Sequence, residues 1–212
     1  MAAGSAEGVF WNRGYRSAAR QVYRTIVEEE NIPVSQTVTY IIDPSHSTAG
    51  FKVRHLMVSN VRGEFSGVAG TVLFDAADSA NSKVEAVIDA TTIQTRDNQR
   101  DQHLKSADFF DVEKFPKITF VSKKVAPAGD GEWSVIGDLT IHGVTREVAL
   151  AVEGPTPEVK DPWGNIKIGA TATTKVNRKD FGLVWNVALE AGGVLVGDEV
   201  AIQLEVELTR QG

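Results

Sequence analysis

The chain contains no cysteine among its 212 residues. That excludes disulfide staples, thiolate nucleophiles and cysteine metal ligands, while fitting any redox compartment. Positive charge is also short: Lys and Arg number 22 against 28 Asp and Glu, for a net charge of −6. No cluster of Lys and Arg marks a nucleic-acid surface, so that class of partner is excluded. No apolar run approaches the roughly 18 residues of a membrane span. The opening Met1-Ala2-Ala3-Gly4-Ser5-Ala6-Glu7 has no charged start leading into an apolar segment. A secretory signal peptide is therefore not expected, and a cytoplasmic location is. Motifs that carry chemistry are missing too. There is no HxH, HExxH, GxSxG or P-loop, and no GxGxxG follows a strand. His46, His55, His103 and His142 lie far apart in sequence, so neither a metal nor a cofactor is expected.

What the chain does have is alternation. Val135, Leu139 and Ile141 share one parity before His142-Gly143, and Val148, Leu150 and Val152 share one parity after it. This is a β-hairpin with one buried face. Similar runs predict strands near 38–43, 47–58, 68–75, 83–90, 117–125, 132–142, 144–154, 164–176 and 198–209. The last is the most regular: Val200, Ile202, Leu204, Val206 and Leu208 alternate with mostly polar neighbours. Turn signals separate the runs at Asp75 to Ser82, Ala128 to Gly131, Asp161 to Gly164 and Gly192-Gly193. Without βα alternation, the pattern reads as an all-β barrel or sandwich.

Two segments depart from this rhythm. Residues 1–36 read as an amphipathic helix, with Trp11, Tyr15, Ala18, Val22 and Ile26 on one face and Arg13, Arg16, Arg20 and Arg24 on another. It is either an extension without function or a lid, membrane-surface helix or dimer contact. The organisation is thus an extension over 1–36 and a β-domain over 37–212. The second segment, near 96–112, is polar at first and reads as a short inserted helix and loop. Phe109 and Phe110 are adjacent in it; in a loop both can turn inward and plug one end of a barrel.

An ordered series of motifs resembles the YceI-like family of lipocalin-like, polyisoprenoid-binding barrels. It begins with Asp43-Pro44-Ser45-His46-Ser47, Phe51-Lys52-Val53-Arg54-His55 and Val61-Arg62-Gly63-Glu64-Phe65. It continues through Thr95-Arg96-Asp97, His103-Leu104-Lys105-Ser106, Phe109-Phe110-Asp111 and Phe115-Pro116-Lys117-Ile118-Thr119-Phe120. It ends with Gly137 to Thr145 and Asn177 to Leu183. The resemblance covers roughly 39–209. It implies an extended eight-stranded antiparallel barrel around a long apolar tunnel. It also implies non-covalent binding of a polyisoprenoid or isoprenoid quinone, often a homodimer, and no catalytic activity. Secreted members carry a signal peptide, which makes the periplasm the alternative location.

The residues can be weighed directly against that expectation. Inner faces would carry Phe51 and Val53, Val72 and Phe74, Ile88, Phe120, and Gly137, Leu139 and Ile141. Small residues among them, Ala86, Gly137, Ala170 and Ala172, would leave space for a lipid; the alternative is a filled core. Phe109, Phe110 and Phe181 complete the apolar candidates. His55 shares inward parity and would either meet a headgroup or be satisfied locally. His103 could gate the mouth, and His142 reads as a turn residue. Arg178 and Asp180 form a structural network, or Arg178 (or Arg96) chelates a diphosphate headgroup. The leading expectation is a small-molecule lipid carrier with possible peripheral membrane contact. The alternatives are an enzyme using His55, His103 and Asp97 on an amphiphile, and an interaction module with a filled barrel.

Overall fold

The computed structural model describes residues 37–190 and 192–212. The expectations for residues 1–36 lie outside them. The strands are β1 (Val38–Ile42), β2 (Thr48–His55), β3 (Ser59–Phe65), β4 (Val68–Phe74), β5 (Lys83–Asp89) and β6 (Lys117–Gly129). They continue as β7 (Glu132–Ile141), β8 (Val144–Glu153), β9 (Val159–Lys160), β10 (Ile166–Asn177) and β11 (Val196–Arg210), with one α-helix among the described residues, α1 (Asn98–Lys105).

All pairings are antiparallel, and β11 closes the sheet. Its one edge pairs with β10 from Glu199 to Thr209. Its other edge pairs with β2 from Val196 to Glu205 and then with β1 from Leu208 to Arg210. Thus β1 and β2 act as one strand interrupted by the Asp43–Ser47 loop. In the same way β3 pairs with β2 and β4 with β1, with Ser66-Gly67 between them. Counted so, the ring is an eight-stranded closed antiparallel barrel, as the family resemblance implied. Closure pairs most strands on both sides; β3 bonds β2 along one edge and along the other only Gln94, through Glu64.

The registers define two ends. The ends of β2, β5, β7 and β10 and the starts of β6 and β11 gather at one end, the helix end, where the connection from β5 to β6, which holds α1, starts and finishes. The far end holds the β4–β5, β6–β7, β8–β9 and β9–β10 connections. At the helix end Asp97 caps α1 by accepting from Arg100 N at 3.0 Å. The buried Asp101 carboxylate accepts from Thr95 N at 2.8 Å, tying the helix to the chain that enters it. The β7–β8 turn places His142 at φ 51° and Gly143 at φ 72°. Positive φ at both central residues matches the right-handed twist of the flanking strands.

Most predicted strands match within a few residues. The run over 47–58 does not. It splits into β2 and the start of a tight turn, because Leu56 and Met57 adopt φ of 52° and 60°. The strand β3 that follows was absent from the predicted set. Leu, Met and Val lack the Gly, Asn or Asp signal that marks such turns, so the alternation seemed to run through.

Candidate functional site

The barrel encloses a cavity of about 280 Å³ that runs most of its length. Leu183, Val196 and Phe109 line it at the helix end, and Trp133, Pro155 and Phe74 at the far end. Its wall is almost wholly aliphatic and aromatic. β11 shows why: Val200, Ile202, Leu204 and Val206 all point into it and are only half-buried, while Gln203 and Glu205 between them face solvent. The side chains that face the barrel axis keep accessible surface because they meet empty space rather than one another. Rings cluster at both ends. Phe65 and Phe110 stack edge-on at 5.5 Å, Phe109 and Trp185 lie 5.3 Å apart, and Phe74 meets Trp133 at 5.2 Å.

Three of the four polar residues on the wall are engaged. Thr174 Oγ1 donates to Ala149 O at 2.8 Å, and Ser82 Oγ accepts from Asp75 N at 3.0 Å. Arg178 is the one charged residue, only 3% exposed. Its Nε donates to Gly197 O at 2.9 Å, Nη1 donates to Leu183 O and to Trp185 O, and Nη2 donates to Val196 O and Asp198 Oδ1. A guanidinium has five N–H donors, and these acceptors use all of them. Burial pushes the Arg178 pKa down, and Asp198 opposes that shift. Arg178 therefore clamps the 183–197 segment to the barrel, and no donor remains for a diphosphate. Its partners are not Asp180 or the Arg96-Asp97 loop, as the sequence suggested. An Arg in a polar run gives no sign that its acceptors are backbone carbonyls.

Of the candidates for the ligand site, all but His55 and Gly137 line the cavity. His55 ends β2 opposite Ser59 and Val196, at the rim rather than on the wall. Gly137 has inward parity but offers no space. A Cβ there would lie 2.5 Å from Val121 O and 2.6 Å from Phe120 Cζ, so the Phe120 ring fills what the glycine leaves. The β6 irregularity between Ser122 and Lys124 brings the strands that close. The wall residues of β11 were legible as one dry face and deserved a place among the candidates.

The residues proposed for acid–base chemistry are dispersed. Asp97 caps α1, His103 Nε2 lies 2.9 Å from Asp108 Oδ2, and neither lines the cavity. Among the described residues, Asp43, His46 and Glu207 are the one group whose ligand atoms approach closely enough to share a metal ion. Lys167 Nζ sits 2.8 Å from both Asp43 Oδ2 and Glu207 Oε1, so an ammonium already occupies that point. The Lys167 bond, with Ser45 N and His46, holds the Asp43 carboxyl well below the usual carboxylate range.

Known proteins share this architecture and sequence. BcnA of Burkholderia cenocepacia superposes with a TM-score of 0.65 at 24% identity, covering 78% of this chain and 98% of that one. The YCEI protein of Campylobacter jejuni gives 0.61 at 30% identity, covering 74% and 90%. A polyisoprenoid binding domain from Saccharophagus degradans, implicated in plant cell wall breakdown, gives 0.59 at 14% identity over 81% of this chain and 98% of that domain; at that identity the likeness is one of fold. A UPF0312 protein of Staphylococcus aureus strain MSSA476 is 38% identical over 170 residues, 80% of this chain and 96% of its own length. The YceI-like domain pattern itself matches residues 40–208. Over residues 40–208, from within β1 to near the end of β11, the chain belongs to the YceI-like family.

Proposed function

We propose that this barrel binds a long polyisoprenoid chain, such as a quinone tail, and carries or sequesters it without catalysis. The observation that carries this reading is the apolar cavity extending from Leu183 to Trp133. A linear hydrocarbon gains on the order of 0.8 kcal/mol for each methylene-sized unit it buries, so a tail threaded along the axis accumulates affinity without a headgroup contact. Smaller apolar cavities in proteins already take up benzene-sized ligands. The polyisoprenoid-binding domain of Saccharophagus degradans, built on the same fold, supports the same ligand class. Catalysis would need polar groups placed at the reacting atoms. Here the one charged wall group, Arg178, spends its donors on the protein. Native mass spectrometry of freshly purified protein, followed by solvent extraction, tests the proposal. A retained isoprenoid or quinone is expected. A clean apo mass that stays unshifted after incubation with several polyprenyl lipids would sink it.

A further inference from the structure

A lipid carrier must meet the bilayer that supplies its cargo, and the helix end of the barrel has the surface for it. The β2–β3 turn presents Leu56, Met57 and Val58 to solvent; Met57 is 52% exposed and Val58 76%. Such residues cost free energy in water and normally sit in a core. They are not alone. Leu56 N donates to Leu195 O at 2.9 Å, and Leu195 N donates to Val187 O at 3.0 Å. The turn therefore lies beside the 183–187 segment, where Val184 is 64% and Val187 46% exposed. Val184 directly follows Leu183, which lines the cavity. The exposed aliphatic surface is thus one residue removed from the cavity wall.

Charge flanks this surface. On the outer face of β2 and β3, Lys52 lies directly opposite Arg62, and Arg54 points outward two residues on. Like charges opposed across a ladder destabilise it. None of the three has an ion-pair partner among the described residues, whereas Lys175, further along the same row, pairs with Glu199 at 3.0 Å. Arg54 Nε donates to Met57 O at 3.2 Å, which joins the basic face to the apolar turn. The acidic groups nearby are Glu64, held by Gln94, Asp198, held by Arg178 and Lys179, Glu199, held by Lys175, Asp108, held by His103, and the exposed Asp180 and Glu190.

Apolar residues at a tip with cations behind them form the pattern of a surface that enters a bilayer interface and meets anionic headgroups. We infer that the helix end is a docking surface for an anionic bilayer. Leu56, Met57, Val58, Val184 and Val187 enter the interface, and Lys52, Arg54 and Arg62 face the headgroups. A second copy fits less well, because a two-fold contact would set the basic row against itself. The other exposed apolar surface, Val159 and Trp163 at the far end, has Lys160 as its one cation without an ion-pair partner among the described residues, against three at the helix end, and complements negative lipids less well. The inference rests on the lipid-carrier reading, which supplies the reason for visiting a membrane.

Because the natural chain has no cysteine, single labels report each end separately. Val58→Cys and Trp163→Cys, each carrying an environment-sensitive fluorophore, are mixed with vesicles of equal parts phosphatidylcholine and phosphatidylglycerol. The label at 58 should shift to the blue and be quenched by spin-labelled lipid, and the label at 163 should do neither. With the label kept at 58, Lys52→Gln with Arg62→Gln should weaken vesicle binding roughly thirtyfold. Pure phosphatidylcholine should give little response. A silent label at 58, a response at 163 instead, or binding unchanged by the charge variants would each overturn the inference. So would a blue shift at 58 that needs no vesicles and follows protein concentration, which would assign the face to a second copy. Extraction of lipid from the same preparations tests the carrier reading independently: retained isoprenoid with a silent label at 58 rejects the docking surface alone.

Discussion

The ring of Phe120 stands where a side chain on Gly137 would have to go, with its Cζ 2.6 Å from the ideal Cβ position. Val121 O is closer still at 2.5 Å, and it belongs to backbone that cannot swing away. Gly137→Ala should therefore destabilise the barrel by about 1–3 kcal/mol, the range for overpacking a filled site. Urea titration should show a lower midpoint at unchanged slope. Shrinking the ring with Phe120→Leu should restore only part of the loss, because the clash with Val121 O persists. Full restoration would mean that the ring alone sets the requirement for glycine.

The five donors of Arg178 make a second prediction. Arg178→Lys keeps the charge, but a single ammonium cannot reach Gly197 O, Trp185 O and Asp198 together. Each buried carbonyl left without a donor costs about 1–3 kcal/mol, so the variant should lose about 3 kcal/mol or more by denaturant titration. Loss of lipid binding without loss of stability would instead return Arg178 to a headgroup role.

These two residues show where the sequence stops being informative. Period-two alternation carried the strand faces, and with them Phe51, Val53, Val72, Phe74 and Ile88 as inward residues. Alternation depends only on which side of a sheet a residue occupies. It says nothing about what stands opposite, so Gly137 read as space when Phe120 fills it. Arg178 read as the partner of Asp180 or of a headgroup because most of its true partners are carbonyls, which every residue has. The β2–β3 turn was missed for the converse reason: its residues have the chemistry of a strand, yet Leu56 and Met57 take positive φ where Leu56 N bonds Leu195 O. The enclosed volume itself emerges only when β11 closes the ring.

The Lys167 cluster should give the protein a defined acid limb. Asp43 has a folded pKa held below its ordinary value, chiefly by the Lys167 bond. A depressed carboxylate contributes stability that is complete above its unfolded pKa of about 3.9 and is lost as pH falls toward the folded one. Lys167 is shifted upward by Asp43 and Glu207, so its share is complete below its unfolded value and lost only in strong alkali. Asp43→Asn should therefore melt below the natural protein at neutrality and at about pH 5, and the margin should close as acid titrates the carboxylate. A margin independent of pH through the acid range would show that the pair contributes nothing through charge.

Occlusion of the cavity gives the most direct prediction for function. Ala86 lies on β5 opposite Phe120 and lines the cavity while remaining half-buried, so a larger side chain there has empty space to enter. Gly137→Phe would be a poor test, because misfolding and occlusion would be confounded. Ala86→Phe should instead leave the melting temperature near that of the natural protein. A ring displacing about two methylene units of a bound tail removes roughly 1.6 kcal/mol, enough to weaken retention more than tenfold. Lipid carried through purification, measured by extraction from matched amounts of protein, should fall accordingly. Unchanged lipid in a folded variant would place the tail away from β5, and a melting temperature that rises would show the ring filling a space that no ligand uses.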